Sequence, residues 1–219
     1  GYRSWWGFET LPEVNEETPS FVEFITGEGG VIDTWLRRGA AGFRLDVADE
    51  LPDEFIEKIR TAVKRVSPEK FLLGEVWEDA TTKFGFDHRR TYLLGKGLDS
   101  VMNYPFKNSV LDFVKGKPAQ QAANEILSIC EHYPAPAINT ALNFLSTHDT
   151  ERALTVIADE PANGRGREWQ SGRSVTGEAY EEGMLRLRMA YAIIYTLPGV
   201  PCLYYGDEIG MQGYRDPFN

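Results

Sequence analysis

The chain has 219 residues, and its 23 basic and 33 acidic side chains give a net charge of −10 at neutral pH. This acidic balance argues against a nucleic-acid binder, and an aromatic content of 12% excludes an intrinsically disordered chain. No run of about eighteen apolar residues is present, and the first residues lack a signal-peptide pattern. We therefore expect a soluble protein, whose compartment the sequence leaves unspecified.

The predicted elements alternate along the chain between short helices and short apolar strands. The helices, indicated by apolar residues at helical spacing, cover residues 21–25, 31–38, 52–66, 111–114, 122–133 and 184–197. The strands cover residues 42–47, 71–77, 98–106, 141–145 and 200–205. Strands separated by helices indicate an α/β fold of parallel βα units, in which functional side chains lie at the carboxyl ends of the strands.

Two carboxylates lie at the ends of the first two predicted strands. Asp46 is near the end of the first, and strand alternation places Arg44 on the same face. A neighbouring guanidinium favours an ionised carboxylate, which suits a nucleophile. Glu75 lies among apolar residues of the second strand, where desolvation favours the protonated form that a general acid needs. Such an opposed pair is what a retaining glycosidase requires, although a structural Arg44–Asp46 ion pair and a helix-capping Glu75 remain alternatives.

A third acid, Asp149, follows the fourth predicted strand together with His148. A histidine and a carboxylate at a strand exit can hydrogen-bond sugar hydroxyls and stabilise an oxocarbenium-like transition state, and a helix N-cap is the alternative. Trp77, beside a candidate acid, is the tryptophan that we expect to contact a sugar ring. Trp5 and Trp6 are predicted to be core residues, because a tryptophan in an apolar run is usually buried.

Several segments carry a resemblance to the α-amylase superfamily of retaining glycoside hydrolases. GFRLDVA at 42–48 resembles the nucleophile strand of that family, and GEVW at 74–77 resembles its acid/base segment. LSTHDT at 145–150 resembles the segment with the third essential acid, and GVPCLYYGDEIG at 199–210 is similar to the last barrel strand and the loop after it. The resemblance spans nearly the whole chain and implies a glycosidase with a (β/α)8 TIM-barrel fold.

The resemblance also implies a role for each candidate residue. Asp46 would be the nucleophile that forms a glycosyl-enzyme, and Glu75 would protonate the leaving oxygen and then deprotonate water. Asp149 would bind sugar hydroxyls more tightly in the transition state. The substrate-binding residues would be Arg44, His148 and Trp77.

A finer resemblance concerns the branch of the superfamily. LPEVN at 11–15 is similar to the MPKLN segment of neopullulanases, cyclomaltodextrinases and maltogenic amylases. It implies hydrolysis of, or transglycosylation on, starch, maltodextrin or pullulan-type α-glucans, with a plain α-amylase specific for α-1,4 links as the alternative. Asp49 and Glu50 stand where many α-amylases have Lys-His, which places the shared calcium site of the family in doubt, so we do not predict a metal. A structural calcium ion stays open as an alternative that these residues do not support, and no cofactor is expected to be required.

The length falls short of the roughly 250 residues of a complete eight-stranded barrel. The early family strand with an Asp and an Asn-His pair has no match in the sequence. We therefore expect residues 1–219 to be a partial catalytic barrel, approximately strands 4 to 8 with their helices, truncated at both ends of a larger enzyme. Such a piece is expected to be inactive alone and to self-associate through its open barrel edge. The larger enzyme is expected to bind an α-glucan rather than nucleic acid or a membrane. The remaining alternative for the function of this chain is a non-catalytic barrel fragment.

Overall fold

The computed structural model describes all 219 residues, which form two compact units. The first unit comprises Gly1–Glu75 and Phe84–Asp99, and the second comprises Val76–Lys83 and Ser100–Asn219. Both contain helices and strands, so the architecture is mixed α/β, as the sequence predicts.

The first unit is built on two parallel strands and three helices. Its helices are α1 (Pro19–Thr26), α2 (Val31–Arg37) and α3 (Asp53–Val66). Its strands are β1 (Gly42–Leu45), β2 (Phe71–Gly74), β3 (Phe84–Gly85) and β4 (His88–Arg89). β1 pairs with β2 in parallel, with Gly42 opposite Phe71 and Leu45 opposite Gly74, whereas β3 and β4 form a small antiparallel hairpin.

Helix α3 organises the core of the first unit. Its buried side chains include Phe55, Ile59 and Val63, which repeat at helical spacing, and the helix packs against α1, α2 and β2. Its first turn carries acidic residues and its last turn basic ones, a distribution that complements the helix dipole. The helix therefore supports the sheet from which the candidate residues of this unit project.

The second unit contains most of the helices. Its strands are β5 (Ser100–Val101), β6 (Leu142–Asn143) and β7 (Val200–Pro201). Its helices are α4 (Tyr104–Val114), α5 (Ala119–His132), α6 (Ala135–Ile138), α7 (Ala153–Ala158), α8 (Arg167–Ser171) and α9 (Gly177–Thr196). β6 and β7 pair in parallel, with Leu142 opposite Val200. α4 packs against α5, α7 and α9, and the core between them includes Phe106, Leu154 and Leu187.

The structure shortens several predicted strands. The predicted strand at 98–106 is wrong from Tyr104 onward, because α4 begins there. Asn103 caps this helix by accepting a hydrogen bond from the backbone N–H of Phe106, and Pro105 occupies the first turn, where its missing N–H has no cost.

None of the helices combines the length and the apolarity needed to cross a lipid bilayer.

Candidate active site

The carboxyl ends of β1 and β2 bring two of the predicted acids together in the first unit. Asp46 directly follows β1 and Glu75 directly follows β2, and the parallel register pairs the residues just before them. The backbone N–H of Glu75 donates to the carbonyl of Leu45 at 3.0 Å, so the pairing of the two strands continues to the acid itself. Both acids therefore leave the sheet at the same level.

Arg44 bridges the two carboxylates. Its Nη1 lies 2.5 Å from Oδ1 of Asp46, and its Nη2 lies 2.9 Å from Oε2 of Glu75. The ion pair with Asp46 is the one that strand alternation predicts, whereas the bond to Glu75 depends on the pairing of two strands that are distant in sequence. One guanidinium thus fixes the orientation of both acids, since its planar fork presents several N–H groups in a rigid arrangement.

The two acids differ in exposure and in their partners. The side chain of Asp46 is 72% exposed, whereas Glu75 is buried, at 5%. The burial of Glu75 agrees with the sequence prediction, but its surroundings are not simply apolar, because Oε2 also accepts a hydrogen bond of 2.8 Å from the backbone N–H of Val47. The helix-capping alternative for Glu75 is wrong, since turns rather than a helix follow it.

Two backbone features place this pair. Val47 has φ 45° and ψ 50°, which lies in the left-handed region that a β-branched residue seldom occupies. In this conformation its backbone N–H donates a hydrogen bond to the carboxylate of Glu75. Gly74 lies just before Glu75, and a Cβ there would collide with the side chain of Leu98. A larger residue at this position would therefore force the side chain of Leu98 to move.

Arg90 is a residue that sequence reasoning missed. It is 2% exposed, and its Nε lies 2.8 Å from Oδ1 of Asp53. Its two Nη groups donate to the carbonyls of Asp49 and Leu51 at 2.8 and 2.5 Å, which fixes the short 3₁₀ turn that follows Asp46. In the sequence Arg90 belongs to no motif and is half of a short basic pair, so no local signal could have revealed its role.

The contacts among Asp53, His88 and Arg90 shift the pKa values of Asp53 and His88. Burial opposes ionisation of Asp53, but hydrogen bonds from His88 and Arg90 outweigh it and lower the pKa of Asp53. In turn, the hydrogen bond with Asp53 raises the pKa of His88. The segment after Asp46 is thus held by a charged network.

His148 and Asp149 lie in the second unit, on the loop between β6 and α7. Nε2 of His148 is 3.1 Å from Oδ2 of Asp149, and both side chains are partly exposed, at 62% and 37%. The helix N-cap alternative is wrong, because α7 begins at Ala153 and its N-cap residue is Arg152. The pair is therefore presented on a loop rather than used to start a helix.

Trp77 also lies in the second unit, where its ring stacks on that of Tyr104 with centroids 4.2 Å apart and planes 13° from parallel. Trp77 is 39% exposed, so its partly open ring remains available for contact. The prediction that Trp5 and Trp6 are core residues is wrong. These two stack on each other at 4.6 Å, and Trp6 is 70% exposed.

No group of three or more His, Cys, Asp or Glu side chains lies close enough together to hold a metal ion in this chain. The carboxylate pair Asp49 and Glu50, which stands where the sequence departs from many α-amylases, is part of the 3₁₀ turn after Asp46. The chemistry proposed for these residues uses no metal.

Comparisons with known proteins agree on one family. The model of the α-amylase catalytic domain matches residues 3–218. An amylopullulanase of Thermoanaerobacter thermohydrosulfuricus is 33% identical over 243 aligned residues, covering 100% of this chain and 15% of the relative. A cyclomaltodextrinase of a Bacillus species is 33% identical over 214 residues, covering 96% of this chain and 32% of the relative.

Solved structures show the same likeness. The cyclic α-maltosyl-(1→6)-maltose hydrolase of Arthrobacter globiformis, in complex with maltose, superposes with a TM-score of 0.79 at 29% identity. The match covers 99% of this chain and 42% of that one. The chain thus spans less than half the length of each of these relatives.

Proposed function

This chain belongs to the α-amylase catalytic-domain family, and we propose that the protein containing it hydrolyses α-glucosidic bonds with retention of configuration. The observation that carries the proposal is the pair Asp46 and Glu75 at adjacent parallel strand ends, both bonded by Arg44. Retaining glycosidases use two carboxyl groups about 5–5.5 Å apart. A single guanidinium that bonds both carboxylates supports such a short separation.

The proposed chemistry has two steps. In the first, a carboxylate oxygen of Asp46 bonds the anomeric carbon while the bond to the leaving oxygen breaks, and Glu75 gives that oxygen a proton. In the second, Glu75 takes a proton from water, the water oxygen bonds the anomeric carbon, and Asp46 leaves as a carboxylate. Transglycosylation follows the same path, with a sugar hydroxyl in place of water.

Exposure supports this division of roles. A nucleophile must reach the anomeric carbon, and the side chain of Asp46 is open to approach, with Arg44 holding its orientation. Glu75 is largely removed from water and held by Arg44 and the N–H of Val47. Such orientation suits a group that must deliver and then recover a proton at one position.

Residues of the second unit are proposed to bind substrate. Asp149 would accept hydrogen bonds from sugar hydroxyls and strengthen them in the transition state, with His148 bonded beside it. Trp77 would stack its partly exposed ring on a glucose ring, because C–H faces of sugars are apolar.

The proposed substrates are starch, maltodextrin and pullulan-type α-glucans. The names of relatives support this range, since they include an amylopullulanase, a cyclomaltodextrinase and a neopullulanase. We also propose that the chain supplies approximately strands 4 to 8 of a barrel within a larger enzyme. Two parallel strand pairs, β1–β2 and β6–β7, support this placement.

The experiment uses the full-length protein and maltodextrin, pullulan and an aryl α-glucoside with a good leaving group. Asp46→Asn should abolish the glycosyl-enzyme detected by mass spectrometry. Glu75→Gln should lose maltodextrin hydrolysis but still form the glycosyl-enzyme from the activated substrate, whose leaving group needs no proton. That intermediate should accumulate, because the base that activates water in the second step is gone. Glu9→Gln is the control, because Glu9 is exposed in the same unit, and it should match the parent.

Two results decide the outcome. Hydrolysis that survives Asp46→Asn would refute the assignment of the nucleophile. Products from pullulan then separate the two substrate ranges, because an enzyme that leaves pullulan uncut is a plain α-amylase rather than a neopullulanase-like hydrolase.

A further inference from the structure

The loop that carries His148 and Asp149 directs three of its carbonyl groups at one side chain. The amide nitrogen of Asn219 lies 3.3 Å from the carbonyl oxygen of Thr147, 2.5 Å from that of His148 and 2.9 Å from that of Thr150. An amide carries two N–H groups, so the three carbonyls share two hydrogens. These bonds fasten the backbone on both sides of Asp149.

Side chains of the loop also form hydrogen bonds with its own backbone. Thr147 Oγ1 accepts a hydrogen bond of 3.1 Å from the backbone N–H of Asp149, and the N–H of Thr147 donates to Oγ1 of Thr150 at 3.1 Å. The internal bonds set the shape of the turn, whereas Asn219 ties that turn to a segment about 70 residues away in sequence.

Asn219 is itself held by a buried cation. The backbone carbonyl of Asn219 accepts a hydrogen bond of 2.6 Å from Nε of Arg152, whose side chain has no exposure to solvent. Nη1 of Arg152 lies 3.2 Å from Oδ1 of Asp207, and it also donates to the carbonyl of Tyr205. The guanidinium lies over the rings of Tyr204 and Tyr205, at 4.2 and 4.6 Å from their centroids.

The backbone strengthens the same link. The N–H of Arg152 donates to the carbonyl of Gly213 at 2.9 Å, and the N–H of Gly213 donates to Oγ1 of Thr155 at 2.9 Å. The segment from 213 to 219 is therefore fixed at both ends against the region that follows Asp149. Its contacts leave Asn219 little freedom to move away from the loop.

We propose that Asn219, held in place by Arg152, is a positioning residue for Asp149 in glycoside hydrolysis. The proposal rests on the function proposed above, in which Asp149 holds sugar hydroxyls most tightly in the transition state. Asn219 acts through the loop backbone and does not touch the substrate. Loss of its amide donors leaves three carbonyls of that loop without their shared partner.

The expected effect follows from the sensitivity of catalysis to geometry. A displacement of about 1 Å in a catalytic group can reduce the rate by roughly 100-fold. Asn219→Asp keeps the shape of the side chain but replaces the amide nitrogen, which carries both donors, with a carboxylate oxygen that repels the carbonyls. We expect kcat to fall about 10- to 100-fold, with KM nearly unchanged because the interaction strengthens in the transition state.

The experiment measures kcat, KM and the melting temperature of the full-length protein with Asn219→Asp, Asn219→Ala and Asn219→Gln. The glutamine keeps the donors on a longer side chain and should recover part of the loss. Gln212→Ala is the matched control. Its amide also bonds backbone, to the N–H and carbonyl of Val175 at 2.6 and 3.0 Å, but it lies outside the 147–150 loop. It should lower the melting temperature and leave kcat unchanged.

A double-mutant cycle with Asp149→Asn, measured on an activated aryl α-glucoside, identifies the route of the effect. If Asn219 acts through Asp149, the change at 219 costs little once Asp149 is altered. Full additivity of the two changes would overturn the proposal, as would an Asn219→Asp or Asn219→Ala enzyme with normal kcat. An unaltered protein that cleaves no α-glucan would refute the proposed function itself, and this inference with it.

Discussion

Replacing Arg44 by methionine tests whether one guanidinium organises both candidate catalytic carboxylates. The change keeps much of the length and apolar stem of the side chain but removes the bonds to Asp46 at 2.5 Å and to Glu75 at 2.9 Å. Glu75 is buried and then has no cation from Arg44, so its carboxylate loses an orienting partner in a region with little water to replace it.

The free energy that Arg44→Met is expected to remove can be divided between the two contacts of Arg44. The carboxylate of Asp46 is largely exposed, so the exposed half of the bridge contributes about 0–1 kcal/mol. The half that reaches buried Glu75 is an ion pair at 2.9 Å, and removing the partner of this buried carboxylate costs about 1.5–3 kcal/mol. The sum is about 1.5–4 kcal/mol, which corresponds to a loss of roughly 10- to 900-fold in kcat/KM if both contacts are retained in the transition state.

The assay is kcat/KM of the full-length protein on maltodextrin and on an aryl α-glucoside. Arg44→Lys should fall between the parent and Arg44→Met, since an ammonium keeps the charge but cannot reach both carboxylates with a planar fork. Arg3→Met is the control, because Arg3 forms an exposed pair with Glu13 at 3.4 Å. The reasoning is refuted if Arg44→Met stays within twofold of the parent while the melting temperature is unchanged.

Two further predictions concern charged networks. Arg152→Met leaves Asp207 buried without its cation and should lower the unfolding free energy by about 3–5 kcal/mol. The control is Arg186→Met, which removes an exposed ion pair with Glu182 and should change the unfolding free energy by less than about 0.5 kcal/mol. Calorimetry measures both variants, and equal losses of stability would refute the reasoning. His88 has a pKa raised by Asp53, so its stabilisation is complete below about pH 6.5 and is lost as pH rises through the raised pKa. Thermal unfolding between about pH 5.5 and 8.5 should therefore be less pH-dependent in His88→Gln, and unchanged dependence would contradict the assignment.

The features that the sequence predicts well are those that repeat along the chain. Helix α3 follows from its helical spacing of apolar residues, and the acids Asp46 and Glu75 follow from the rule that side chains at parallel strand ends meet. The start of α4 is a counterexample: the strand prediction missed it, although Asn103 and Pro105 form an N-terminal helix signal inside that segment.

The features that the sequence does not predict depend on partners that are distant in the chain. The bond from Arg44 to Glu75 requires the register of β1 against β2. The bond from Asn219 to His148 spans 71 residues. The exposed position of Trp6 depends on which surfaces the fold covers, and an apolar run in a sequence does not specify this.

The left-handed conformation of Val47 has a consequence for engineering heat resistance. A β-branched residue in that region carries strain of about 1–3 kcal/mol, whereas asparagine and glycine adopt it more easily. The hydrogen bond to Glu75 uses the backbone N–H of residue 47, which both replacements retain. Position 47 is therefore a place where a substitution can raise stability while the backbone donor to the proposed acid is kept.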